Sequence, residues 1–163
     1  MDAYLDIETT GLSPSCDNIT VIGLYLVKGN DNKLVQLVGD DITKESIIST
    51  LQGVHTIFTY NGHRFDLPFI HAHIGIDLAR NHRHCDLMND CWSRGLYGGF
   101  KAVEKRLGIC RKLVGVDGRE AVRLWWRYVN DYDRKALDLL LKYNAEDVIN
   151  LKALRERLLR REM

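Results

Sequence analysis

The chain has no apolar run near the ~20 residues that a membrane-spanning helix needs, so no membrane partner is expected. Only four of its 163 residues are cysteine, namely Cys16, Cys85, Cys91 and Cys110, and they form no C-x-x-C pair. That spacing argues against a disulfide framework or a cysteine zinc site and reads as free thiols. There is no internal repeat and no low-complexity segment. The first strand begins almost at Met1, which leaves no signal-peptide pattern, and a cytoplasmic location is expected. Net charge is nearly absent too, at +1. What remains is 45% hydrophobic and 28% charged, the composition of a soluble globular protein. At that length one ordinary domain with a substantial core is expected over residues 1–163.

Against this plain background three acidic motifs stand out. Asp6 and Glu8 sit two apart at the end of the first apolar run, Tyr4-Leu5-Asp6-Ile7-Glu8-Thr9-Thr10-Gly11-Leu12. Alternate strand residues share a face, so both carboxylates point one way while Leu5 and Ile7 point the other. Adjacent anions repel, and a hard divalent cation with oxygen ligands, Mg²⁺ or Mn²⁺, is the fitting counter-charge. The second motif, Asn61-Gly62-His63-Arg64-Phe65-Asp66, follows another apolar run. Asn61 and Gly62 suit a strand-ending turn, and Pro68 suits the first turn of a helix. Asp66 taken alone also reads as a plain N-cap. The third motif, Tyr143-Asn144-Ala145-Glu146-Asp147, lies in a long helical pattern whose buried stripe is Leu137, Leu140, Leu141, Val148, Leu151 and Leu158. Tyr143 and Asp147, four apart, stack on one face beside that stripe.

In this order and spacing, the three motifs resemble those of the DEDD 3′–5′ exonucleases of the ribonuclease H-like superfamily, in the subgroup whose third motif carries a tyrosine. Gly99 to Gly108, Gly118 to Trp125 and Tyr143 to Val148 are further similar to the YprB-type branch. The likeness runs from Tyr4 to about Leu158. It implies two divalent ions, Mg²⁺ or Mn²⁺, held by Asp6, Glu8, Asp66 and Asp147, and hydrolysis of single-stranded nucleic acid from its 3′ end, with DNA favoured over RNA. Asp6 would bridge both ions. Glu8 and Asp147 would complete the water-activating site, Asp66 would serve the second ion through water, and Tyr143 would orient the attacking water. Leu12 takes the place of an apolar wedge against the terminal base, and Thr9 with the Gly11 turn that of the region approaching the 3′ end. Asn61 has two readings, a sugar–phosphate contact or a turn former. Phe65 also has two, core packing or stacking on a base. Two other functions fit the same fold: a structure-selective endonuclease and a non-catalytic nucleic-acid-binding module.

The small net charge hides a division. Residues 1–93 hold 6 Lys/Arg against 12 Asp/Glu, or −6, and residues 94–163 hold 17 against 10, or +7. The basic part, with Lys101, Arg119 and Arg123, is the candidate for phosphate contacts. Strands are expected at residues 3–8, 19–28 and 34–39, with a turn at Asn30-Asp31-Asn32. Residues 43–52 form a helix capped by Thr43, 55–60 a strand and 67–74 a helix, and a short strand lies near His84-Cys85. Residues 99–107, 118–129 and 132–159 are helical. The order implies an α/β ribonuclease H-like mixed sheet, a three-strand meander followed by parallel strands, with helices on both faces. All six histidines fall between His55 and His84 and read as core or surface imidazoles ahead of zinc ligands. Asp86 reads as a helix cap, and only one of Trp125 and Trp126 can face the core.

Overall fold

The computed structural model describes residues 1–113 and 115–160. In β1 (Asp2–Thr9) the apolar Ala3, Leu5 and Ile7 alternate with Tyr4, Asp6 and Glu8, so the two sets take opposite faces. β2 (Ile19–Lys28) pairs antiparallel with β1 and places Gly23 opposite Asp6. β3 (Asp31–Val38) pairs antiparallel with β2, and β4 (Thr56–Thr59) and β5 (Arg83–Asp86) continue in parallel beyond β1. The sheet order is β3-β2-β1-β4-β5, the meander and parallel extension that the element order implied.

Among the described residues seven α-helices cover the two faces. α1 (Lys44–Thr50), α2 (Asp66–Ile74) and α3 (Leu78–Asn81) pack Ile47, Phe69, Ile70 and Leu78 on Leu5, Ile7 and Leu24. On the other face α4 (Leu87–Ser93), α5 (Phe100–Leu107) and α7 (Arg134–Arg160) pack Leu87, Val103, Leu107, Leu151 and Leu154 on Tyr4 and Phe58. α6 (Gly118–Asp131) joins α7 in a third cluster with Val21, Leu124, Leu140 and Tyr143. Each fully buried aliphatic or aromatic side chain contributes about 1.5–3 kcal/mol, so both faces are firmly held. Among the described residues no helix is long and apolar enough to cross a membrane.

Four local expectations are corrected. The β2–β3 turn is Gly29-Asn30, not Asn30 to Asn32, because Gly29 supplies the left-handed φ of +62° that so tight a hairpin requires, and pairing resumes at Lys28↔Asp31. α7 starts at Arg134: Tyr132 caps α6 with φ +55° and Asp133 accepts the Ala136 N–H at 3.1 Å, so the chain restarts a helix there. α3 has no counterpart in the sequence pattern and α4 is marked there only by its cap Asp86, since both are too short to show a period. Asp66 is the first residue of α2 rather than its N-cap, a position that Phe65 takes. Two cap readings hold. Thr43 caps α1, and Asp86 caps α4 by accepting the Met88 N–H at 3.1 Å. The adjacent tryptophans divide as the helix demands, with Trp125 against the α6–α7 core and Trp126 exposed.

Candidate active site

Asp6 and Glu8 point from the end of β1 toward α7, which crosses that face and brings Asp147 to them. Ligand oxygens of the three carboxylates lie within 4.8 Å of one another. Glu8 and Asp147 are buried, and Asp6 is half-buried. Burial, then the negative charges of Asp147, Glu8 and Asp66, holds Asp6 well above the ordinary carboxylate range. Glu8 is raised by burial and by Asp147. Burial pushes Asp147 up to about 6, although the Arg111 guanidinium pulls it back. One oxygen of this cluster, Glu8 Oε1, is buried without a hydrogen-bond partner. An all-oxygen set with an orphaned carboxylate oxygen suits a hard divalent cation.

Asp66 joins the cluster electrostatically rather than by contact. Its Oδ1 accepts the Ile7 N–H at 3.1 Å, which ties the start of α2 to β1, and burial raises its pKa to about 7. Tyr143 lies one turn before Asp147 on α7, as the i, i+4 spacing required, but it is buried within the stripe and not at its margin. Burial, then the charges of Asp147, Glu8 and Asp6, lifts its phenol above the ordinary value. The hydroxyl is therefore a donor at neutral pH.

A cavity of about 530 Å³ opens over the acids, lined by Asp6, Glu8, Thr9, Leu12, Phe65, Arg119, Val122, Tyr143 and Asp147. Leu12 is 85% exposed on a braced loop. Thr9 Oγ1 donates to Gly11 O at 2.5 Å, and Asp17 Oδ2 accepts the Ser13 N–H at 2.9 Å. A Cβ on Gly11 would strike the Asp17 carboxylate, so glycine is what lets this loop close. Phe65 packs against Phe69 with centroids 4.9 Å apart and also lines the cavity. A second cavity of about 340 Å³ lies beside Asp6 and Asp147 and is lined by Tyr60, Phe100, Lys101, Arg111 and Tyr143. Lys101 Nζ stands 4.7 Å above the Tyr143 ring and donates to Val116 O. Asn61 lines neither cavity. It takes φ +63° and donates its N–H to Asp86 Oδ1 at 2.8 Å, the turn-forming role.

Three side chains escaped the sequence reading. Asn144, fully buried, donates to Asp6 Oδ2 at 3.2 Å and is itself held by Gln36 Nε2 at 2.9 Å. It stands on Gly23, where any Cβ would collide with its amide. Arg111 bridges Asp147 and Glu104, and Glu104 is almost wholly buried. Asn144 lay inside the third motif, but nothing marked it as more than helix filler. Arg111 was one cation among 17 in the basic part, on a loop where no period singles out a residue.

A family model of the RNase H superfamily matches residues 3–159. The chain belongs to that superfamily. Its fold is shared with solved structures of low identity. The family B DNA polymerase of the hyperthermophilic archaeon Pyrobaculum calidifontis superposes with a TM-score of 0.73 at 15% identity, over 97% of this chain and 24% of the polymerase. This superfamily member thus spans about a quarter of that enzyme's length. Brucella melitensis NrnC with bound Mg²⁺ superposes with a TM-score of 0.67 at 21% identity, covering 98% of this chain and 72% of NrnC. NrnC bound to pGG gives 0.65 at 19% identity, over 99% and 74%. No curated protein matches the sequence.

Proposed function

We propose that this protein is a metal-dependent 3′–5′ exonuclease of the DEDD type with a tyrosine third motif, acting on single-stranded nucleic acid with DNA favoured over RNA. The observation that carries this reading is the convergence of Asp6, Glu8 and Asp147 oxygens within 4.8 Å around a buried, unpartnered Glu8 oxygen. Two ions, Mg²⁺ or Mn²⁺, held by these three with Asp66 behind them, would supply hydroxide at neutral pH and offset charge on the phosphate. Asn144 donates to Asp6, and Arg111 donates to Asp147. Tyr143 keeps its proton at the phenol oxygen and orients water or a phosphate oxygen by donating to it, rather than acting as a base. Leu12, an exposed apolar side chain on a braced loop, faces the terminal base, and Phe65 and Val122 line the same cavity. The 3′-end reading rests on the match of Leu12 and the Thr9–Gly11 turn to the family's terminal-nucleotide region. NrnC, similar in fold, binds Mg²⁺ and pGG, which accords with a site for divalent ions and nucleotides.

End-labelled single-stranded DNA and RNA, digested with Mg²⁺, Mn²⁺ or EDTA, test the proposal. A 5′ label should give a descending ladder and a 3′ label should give mononucleotide at once, with no cleavage in EDTA. Asp6→Ala and Asp147→Ala should abolish cleavage in folded protein. Full activity after chelation would remove the metal mechanism, and internal cuts in a circular single strand would replace the exonuclease with the endonuclease reading.

A further inference from the structure

α5 ends at Gly108, whose φ of +66° turns the chain back, and Ile109 N–H closes on Glu104 O at 2.9 Å. This turn returns Arg111 to Glu104, seven residues earlier. Arg111 Nε donates to Glu104 Oε2 at 2.5 Å, and Asn150 of α7 donates to Glu104 Oε1 at 2.8 Å. Arg111 Nη2 donates to Asp147 Oδ1. The guanidinium lies 5.4 Å from the centroid of Phe100 and 6.0 Å from that of Tyr143. The loop that carries it is pinned by the neighbouring acid of the third motif: Glu146 accepts the Lys112 and Leu113 N–H groups. Arg111 Nη1 is buried and makes no hydrogen bond. An unpaired buried donor is costly, so the side chain is held here by the bonds of its other two nitrogens.

We infer that Arg111 is the positioning residue for Asp147, fixing that carboxylate for metal binding through a rigid fork anchored on Glu104. The inference rests on the metal-dependent reading of the acidic cluster. A planar guanidinium sets the distance and angle between its two carboxylate partners, whereas an ammonium on a flexible stem does not. Because Glu104 already compensates the Arg111 charge, the pair adds no net charge beside the ligands. What it adds is orientation. Groups that orient a metal ligand from behind typically change metal affinity by about 10- to 100-fold.

Binding of Mn²⁺ alone, followed by electron paramagnetic resonance without nucleic acid, tests this. Glu104→Gln/Arg111→Gln removes the fork while keeping net charge, and Arg111→Lys keeps the charge while removing the fork's geometry. Both should bind Mn²⁺ about 10-fold or more weakly than wild type, with thermal midpoints showing folded protein. The Mn²⁺ needed for half-maximal cleavage should rise in parallel. Wild-type Mn²⁺ affinity in Arg111→Lys would overturn the inference, since charge alone would then suffice. Wild-type affinity in the folded double variant would overturn it as well. If the double variant fails to fold, Arg111→Lys decides. The affinities decide the inference whether or not a strand is cut. Failure of the nuclease reading would be seen separately, as wild-type protein that binds Mn²⁺ and cleaves nothing.

Discussion

Glu8 Oε1 is the most exacting atom of the site: a carboxylate oxygen buried with no donor, beside Asp6 and Asp147. The protein tolerates it by raising proton affinity across the cluster, and this has a signed consequence for stability. Asp66 titrates near about 7 and Asp147 near about 6 in the folded state. An unfolded aspartate titrates near ~3.9. A folded pKa above the unfolded one means that the folded state binds the proton more tightly, so stability falls as pH rises through that interval. The metal-free protein should therefore lose thermal stability between about pH 4 and pH 7. Asp66→Asn should flatten that decline, as read by melting in EDTA, and an undiminished slope would mean that Asp66 stays ionised. At Tyr143 the raised phenol predicts a donor. Tyr143→Phe should cut turnover by ~10²-fold or more while sparing the fold and Mn²⁺ binding. Wild-type turnover, where chemistry limits the rate, would reduce Tyr143 to a core residue.

Among the elements, α7 does most of the assembly. Tyr143, Asn144, Asp147 and Asn150 follow one another at three- and four-residue steps or side by side, and all four are buried. A helix that presents this polar set to a sheet needs room on the sheet. Gly23 of β2 provides it directly opposite Asp6. Gly23→Ala should force Asn144 off Asp6, costing about 1–3 kcal/mol in overpacking and lowering nuclease activity together. Chemical denaturation and an activity assay on the same preparation check this. A stable, active variant would show that Asn144 can relax without releasing Asp6. The loop after α5 is the other assembling element, since the Gly108 turn alone brings Arg111 to the acids.

Over the whole molecule, the acids cluster where the parallel and antiparallel parts of the sheet meet, at the end of central strand β1. The basic surplus of residues 94–163 reaches this region through Arg111, Lys101 and Arg119, and these play different parts. Arg111 and Lys101 are engaged with protein groups. Arg119 lines the cavity over the acids, and Arg123, further along α6, is largely exposed in a surface pair with Glu120 at 3.3 Å. Arg119→Ala/Arg123→Ala should weaken binding of single-stranded DNA and reduce the salt slope by about 0.7 for each phosphate that is no longer neutralised. Mn²⁺ affinity should not change. An unaltered salt slope in a titration across ionic strength would mark this helix face as solvated surface.

The sequence by itself determined the mixed sheet, the helical cover and the positions of the acids on their elements. Strand alternation, the α7 stripe and the Thr43 and Asp86 caps are local rules, and each is written within a few residues. The alternation of β1 alone placed Asp6 and Glu8 on one face. Tertiary structure decided which carboxylates meet. It put Asp147 with Asp6 and Glu8, and turned Asp66 to the Ile7 N–H instead. It also chose the groups that hold them, Asn144 on Gly23 and Arg111 against Glu104. These pairings join residues far apart in the chain. Their partners are fixed by how helices seat on the sheet and by a loop's path, neither of which leaves a periodic trace in the sequence.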